Sequence, residues 1–251
     1  MQIADVEGAI GADPAVAGGV LKVANSSYYR AGAPVNSLRS ACMRLGIPRV
    51  LALAREAVVA SLLPKAGGVA ALADEVWDRG VVARRIARDL APKVRLDADT
   101  VADVMLLHDV GELALLRVLG DVLGARKLDE GEEREVRRIL ARNHEGVGAL
   151  VLKSWGMPGE LVRLAVCHHG SAPSWTEGAQ EARLRALVRI CDQAAEQTLG
   201  DHDQDPDEVA LEALGLPMSE VTRVSRVPTG VRSNHACCMR RALRNTSTRR
   251  S

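Results

Sequence analysis

The sequence predicts an all-α fold, a bundle of helices with a smaller N-terminal lobe packed on a larger one. Three observations point to it. The 251 residues are 47% hydrophobic, yet Phe is absent and only two Tyr and three Trp occur, so the core is built mainly of Ala, Val and Leu. Small side chains of this kind suit closely packed helices better than a sandwich of aromatic and β-branched residues. Apolar positions recur at helical spacing along most of the chain. No strand-like alternation, tandem repeat or dinucleotide-binding glycine fingerprint interrupts them.

The elements follow in order. Asp13-Pro14 is a helix start, because Asp caps and Pro fits the first turn; this helix runs through Val16, Val20, Leu21 and Val23 to about Asn25. Residues 26–34 carry Ser, Tyr, Gly and Pro and form a loop. Ser37 caps a short helix, 38–45, which Gly46 ends, and Pro48 opens an apolar helix, 50–63, that stops at Pro64. Leu72, Val76, Trp77, Val81, Ile86 and Leu90 mark one face of a long helix over 69–90. After a break at 92–97 come helices at 99–107 and 113–119. A charged helix over 129–143 is followed by 145–155 and 159–168, the last two hinged at Gly156-Met157-Pro158. Residues 170–178 are a loop, 179–199 a helix carrying Asp192, and 207–214 a short helix beyond an acidic linker. A boundary near Pro64–Gly68 divides lobes of about 1–66 and 67–221. Residues 222–251 form a basic tail without apolar periodicity, expected to be disordered beyond about Arg226.

Charge is unevenly spread. The chain carries a net +1, but Thr222–Ser251 holds eight Arg and no Asp, Glu or Lys, so removing those eight charges leaves −7 on residues 1–221. Such a tail can touch nucleic acid or acidic partners, though a solvated end is the simpler reading. The five cysteines form no CxxC pair, and Cys42, Cys167 and Cys191 read as small buried hydrophobes. That usage suits a reducing, cytoplasmic compartment. No apolar run reaches the ~18 residues a membrane span needs, and no signal peptide is visible.

Chemistry concentrates in a few positions. His108-Asp109 places an imidazole and a carboxylate side by side at a helix end, and His144, His168-His169 and Asp192 follow. Four of the six histidines lie between positions 108 and 169. Neutral imidazoles and carboxylates together suit zinc, manganese or iron, and one or two such ions can activate water against a phosphate ester. The plainer reading makes His144 a helix cap, sets His168-His169 against a helix dipole and leaves Asp192 solvated or capping. Tyr28-Tyr29 form either a partner contact or an aromatic anchor for their loop. Trp77, Trp155 and Trp175 read as anchors, and Cys237-Cys238 with His235 lack a fourth ligand.

The segment Leu106-Leu107-His108-Asp109-Val110-Gly111 resembles the signature of the HD phosphohydrolase superfamily. Asn143-His144-Glu145-Gly146-Val147-Gly148-Ala149 with Trp155-Gly156-Met157-Pro158, then Ala165-Val166-Cys167-His168-His169, then Ile190-Cys191-Asp192, resemble its later segments. Upstream, Asp13-Pro14, Val23-Ala24-Asn25-Ser26-Ser27, Pro34-Val35 and Leu45-Gly46 are similar to the N-terminal helical half of HDOD domains. Together these cover roughly residues 10–200. The resemblance implies an HD-like helical core, with His108, Asp109 and Asp192 at the metal-binding positions and His144 with His168 or His169 near the additional ligands of the HD-GYP cyclic di-GMP phosphodiesterases. It also exposes departures. Arg79 stands where the superfamily's first histidine is expected, and a guanidinium is no metal ligand; pairing with Asp109 or Asp192 would let it replace the metal's charge. Glu112 stands where the catalytic pattern has Lys, and no Gly-Tyr-Pro motif occurs. The chain starts almost at the first of these motifs, which leaves the completeness of its N-terminus open.

Three readings of function result. The first is a non-catalytic bacterial signal-transduction output module, binding two-component or cyclic-di-GMP-related signalling proteins and, as a second class of ligand, a nucleotide. The second is a metal-dependent phosphohydrolase or phosphodiesterase acting on a nucleotide or cyclic dinucleotide. The third is a nucleic-acid binder using the basic tail; the sequence disfavours it, having no helix-turn-helix signature and few aromatics for stacking.

Overall fold

The computed structural model describes residues 2–26, 29, 34–64, 67–169, 178–200 and 206–226. Every regular element among them is helical. The chain divides after Leu62 into two compact units.

The first unit contains α1 (Ile3–Gly11), α2 (Pro14–Ala24), α3 (Leu38–Leu45) and α4 (Ile47–Ala60). Helix α1 lies before the first helix the sequence predicts. It is held by a reciprocal cap in which the Gln2 backbone N–H donates to Asp5 Oδ2 at 2.6 Å. Ser37 caps α3 as expected, accepting from Ser40 N at 3.1 Å. Gly46 joins α3 to α4 at φ +81°, a left-handed value that glycine adopts without strain. Val6, Val20, Val50 and Leu53 are fully buried. Asn25 closes the end of α2: its amide donates to Leu21 O and Val35 O, and its carbonyl accepts from Val35 N at 2.8 Å.

The second unit begins with α5 (Ala70–Leu90), a 3-10 turn (Ala91–Val94) and α6 (Ala98–Leu107). There follow α7 (Val110–Leu123), α8 (Glu130–Ser154), α9 (Gly159–Cys167), α10 (Ala179–Leu199), α11 (Glu208–Leu214) and α12 (Met218–Ser225). Helix α5 packs against α6, α7 and α10, and α8 packs between α7 and α9. Ile86, Leu90, Met105, Leu187 and Ile190 fill the core where α5, α6 and α10 meet. Trp77 is buried, whereas Trp155 caps α8 and is partly exposed. Cys42, Cys167 and Cys191 are all buried.

Four boundaries differ from the sequence reading. The helix expected at 50–63 is α4, Ile47–Ala60, with Pro48 inside its first turn and its end before Pro64. The helices expected at 129–143 and 145–155 are one continuous α8, because Asn143-His144-Glu145 contains nothing that breaks a helix. Helix α7 runs from Val110 to Leu123 and so encloses the predicted 113–119. Thr222–Ser225, assigned to the tail by charge, belong to α12, where Val221 and Val224 bury a two-residue apolar face. The disordered tail expected beyond Arg226, the candidate cluster His235, Cys237 and Cys238, the acidic linker and Trp175 lie outside the described residues.

The close approach of α7 and α8 sets up the site. A Cβ on Gly111 would fall 2.0 Å from His144 O and 2.5 Å from Gly148 N. Only a residue without a side chain allows the start of α7 to touch the α8 backbone at this point. Two glycines therefore bring His144, in the middle of α8, beside the His108-Asp109 corner.

Candidate functional site

All eight residues singled out around the HD-like motif converge in the second unit. Helix α6 ends on His108, Asp109 stands at the start of α7, and Glu112 sits in its first turn. Arg79 comes from α5, His144 from α8, Asp192 from α10, and His168-His169 follow the last turn of α9. His108, Asp109, His144, His168 and Asp192 are buried. His144 is thus no helix cap and Asp192 is neither solvated nor capping, which sets the plainer sequence reading aside for both.

Arg79 lies at the centre of the carboxylates. Its Nη2 donates to Asp109 Oδ2 and to Glu112 Oε2, each at 2.7 Å, and its Nε lies 3.4 Å from Asp192 Oδ1. Burial alone would weaken a guanidinium's hold on its proton, but Asp109, Glu112 and Asp192 outweigh it and raise the pKa well above the ordinary value. Burial and the charge of Asp109 raise the Glu112 carboxyl above its usual range although Arg79 pulls the other way. Asp109 is held far below the carboxylate range despite burial, because His108 and Arg79 flank it.

The imidazoles are oriented by the backbone. His108 Nδ1 faces Met105 O at 3.1 Å, His144 Nδ1 faces Leu140 O at 2.9 Å, and His168 Nδ1 faces Ala165 O at 3.3 Å. A carbonyl accepts only, so each Nδ1 carries the hydrogen and each Nε2 is turned into the cluster. His108 Nε2 lies 3.2 Å from Asp109 Oδ2 and 3.4 Å from Asp192 Oδ1. His168 Nε2 lies 3.0 Å from Asp109 Oδ1, and His144 Nε2 lies 2.9 Å from His169 Nε2. Burial disfavours a charged His108, yet Asp109 and Asp192 prevail and raise its pKa to about 10. His169, at the exposed rim, is lowered to about 4 by desolvation and by His168.

The donor set fits a transition metal. His108, Asp109 and Asp192 place one ligand atom each within 4.8 Å of one another, and so do Asp109, His144, His168 and His169; Asp109 belongs to both groups. Arg79 Nε, His108 Nε2 and Asp192 Oδ1 are buried without a well-aligned hydrogen-bond partner, as expected of atoms shaped for a ligand with different geometry. Anchored imidazole Nδ1–H groups are the usual support of a metal-binding histidine. The mixture of imidazole and carboxylate suits zinc, iron or manganese. Arg79, in contrast, brings a permanent positive charge into the first of the two groups.

The anchoring carbonyls of Met105, Leu140 and Ala165 were not legible as functional positions, since any residue supplies a carbonyl; the signal was their spacing three or four residues before each histidine. Tyr29, a partner-binding candidate, is half-buried, its hydroxyl bonded to Arg49, whose guanidinium lies 5.3 Å from the Tyr29 ring centre. Tyr28 lies outside the described residues.

Comparison with known proteins places these features in context. A protein-family model described as the HDOD domain matches residues 1–171. A Geobacter sulfurreducens HDOD domain protein of unknown function is similar at TM-score 0.57 and 20% identity, over 98% of this chain and 86% of that one. A Shewanella amazonensis SB2B protein, provisionally named a metal-dependent phosphohydrolase, is similar at TM-score 0.56 and 20% identity, over 96% of this chain and 85% of that one. A Marinobacter aquaeolei VT8 protein, provisionally named a signal transduction protein, gives TM-score 0.63 at 20% identity, over 95% of this chain and 55% of that one. At such identities these likenesses concern the fold. No match to this chain is found among curated proteins.

Proposed function

The chain belongs to the HDOD domain family, and on that premise we propose that it is a non-catalytic regulatory module of bacterial signal transduction, acting through protein contact, with a nucleotide as a second class of ligand. One observation carries this reading: Arg79 Nη2 binds Asp109 and Glu112 at 2.7 Å each. Asp109, which would be a metal ligand in a phosphohydrolase, is instead paired with a fixed internal cation. The partners favoured are two-component or cyclic-di-GMP-related signalling proteins, with Tyr28 and Tyr29 the first candidates for contact. A cytoplasmic site of action is part of this proposal; no helix among the described residues is long and apolar enough to cross a membrane.

The second reading, a metal-dependent phosphohydrolase, is favoured by the survival of His108, Asp109, His144, His168, His169 and Asp192 in one cluster. One experiment separates the two. The full chain, supplied in turn with Fe2+, Mn2+ and Zn2+, is assayed against bis-p-nitrophenyl phosphate, nucleoside phosphates and cyclic di-GMP. The regulatory reading expects no turnover above that of a His108→Ala/Asp109→Ala variant. Turnover present in the parent and lost in that variant overturns it.

A further inference from the structure

We infer that α7 is a self-association face: it pairs antiparallel with α7 of a second copy of this chain, through the apolar ridge Ala114, Val118 and Val122, about a twofold axis beside Val118. The face is separate from the histidine and aspartate cluster, and the inference does not rest on the regulatory reading.

Helix α7 is apolar around its whole circumference, with Glu112, Arg117 and Asp121 its only charged residues. A helix of that kind is normally covered on every side. One side is covered here: Gly120 faces Pro64 and Val69, whose side chains an added Cβ would approach to 3.1 and 3.2 Å. On the opposite side α8 lies against Gly111 at the start of the helix. Val118 and Val122, about two and three turns further on, are 62% and 76% exposed. Ala114 and Leu115 are partly exposed beside them. Ala114, Val118 and Val122 follow one another at intervals of four residues, the spacing of a ridge that packs into the grooves of another helix. Glu112 is turned inward onto Arg79, which leaves Arg117 and Asp121 as the charges that border the ridge.

These charges select a second copy as the occupant. Arg117 and Asp121 lie along one flank of the ridge, with Arg117 Nε 3.4 Å from Asp121 Oδ2. A twofold axis perpendicular to two antiparallel helices brings the same flank of each copy together and reverses its order. Arg117 of each copy then comes within reach of Asp121 of the other, while Val118 meets Val118 and Ala114 meets Val122. A pattern that complements itself on reversal is what an isologous contact requires. The apolar ridge supplies the affinity; exposed ion pairs add little energy but fix register and partner. A helix of 14 residues is about 21 Å long, so the pairing is smaller than a standard interface of about 1,600 Å² and the dimer is reversible. Because α7 begins beside Asp109, this face and the cluster share one helix.

The test is sedimentation velocity of the full chain across the micromolar range. The expected result is a concentration-dependent shift from the monomer mass to twice that mass, lost in Val118→Asp, a substitution at an exposed position that leaves the circular dichroism spectrum unchanged. Charge variants test the axis. Arg117→Asp and Asp121→Arg each set like charges against one another in a self-pair, and each alone is expected to stay monomeric where the parent dimerises. Mixed in equal amounts they are expected to form a heterodimer, because each supplies the charge that the other lacks. The double variant Arg117→Asp/Asp121→Arg is expected to self-associate again. A parent that remains monomeric, a dimer that survives in folded Val118→Asp, or single-charge variants that fail to associate when mixed each overturn the proposal. The mixing result decides by itself if Val118→Asp does not fold. Mass is read without any turnover, so activity in the phosphohydrolase assay would sink the regulatory reading and leave this result standing.

Discussion

Arg79 Nη2 stands 2.7 Å from Asp109 Oδ2, and the two residues join the middle of α5 to the first turn of α7. The same guanidinium reaches Glu112 and Asp192, so one cation neutralises carboxylates from two helices. Removing one partner of a buried ion pair leaves the other desolvated and unbalanced, which costs about 3–5 kcal/mol. Arg79→Ala is therefore expected to lower stability by about that amount, read from the urea midpoint by circular dichroism. Arg79→Lys should fall between the two, because a compact ammonium cannot spread across three carboxylates as a planar fork does. An Arg79→Ala variant as stable as the parent would show that this pairing does not hold the helices together.

Gly111→Ala should be more damaging than its size suggests. The added Cβ would lie 2.0 Å from His144 O and 2.5 Å from Gly148 N, both of them backbone atoms that cannot rotate away. Helices α7 and α8 must then separate, at a cost of about 3 kcal/mol. Gly148→Ala meets its nearest neighbour only at 3.4 Å and should cost less. Thermal unfolding of the two variants, compared with the parent, tests the order; equal losses would contradict it.

Most of this site was legible in the sequence because the chemistry sits in the side chains themselves. The His108-Asp109 pair, His144, His168-His169 and Asp192 announce themselves as types that bind metals, and Arg79 stands out because it replaces a histidine. The pairing of Arg79 with Asp109 was open from the sequence, and Glu112 as a further partner emerged only once α7 placed it one turn beyond Asp109. Other features depend on backbone geometry that residue identity does not encode. The unbroken α8 was obscured because His144 has the look of a cap, and tertiary packing decides whether a helix continues. Helix α1 has a weak terminus signal, since Gln2 is not a usual cap, and it was missed for that reason.

Two titrations of opposite sign bracket the stability of the metal-free chain. His108 is raised from 6.5 to about 10 in the folded state by Asp109 and Asp192, against the effect of burial. Its contribution is therefore complete below pH 6.5 and is lost as pH rises through about 10. His169 is lowered from 6.5 to about 4 by desolvation and by His168, so its contribution is complete above pH 6.5 and is lost as pH falls toward 4. The depressed carboxyl of Asp109 adds to the acid limb. Urea midpoints of chelator-treated protein should therefore peak near pH 6.5 and decline on both sides. His108→Gln should flatten the alkaline limb selectively, and an unchanged alkaline limb would mean that another group controls it.

Asn25 offers a test in the other unit. Its side chain makes hydrogen bonds to both the N–H and the C=O of Val35, at 2.8 and 2.7 Å, and to Leu21 O at 3.0 Å. Val35 is buried, so water cannot easily replace these partners. Asn25→Ala leaves the Val35 backbone unsatisfied and should cost about 2 kcal/mol, with faster amide hydrogen exchange at Val35. Asn25→Asp preserves the acceptor for Val35 N but turns a carboxylate toward two carbonyl oxygens, so at neutral pH it should be no better than Ala. Below the ordinary aspartate pKa of about 3.9 the protonated form can donate again. Its deficit relative to the parent should then narrow on acidification while that of Asn25→Ala stays constant. Parallel pH dependences in the two variants would show that the donor role of Asn25 is not what holds Val35.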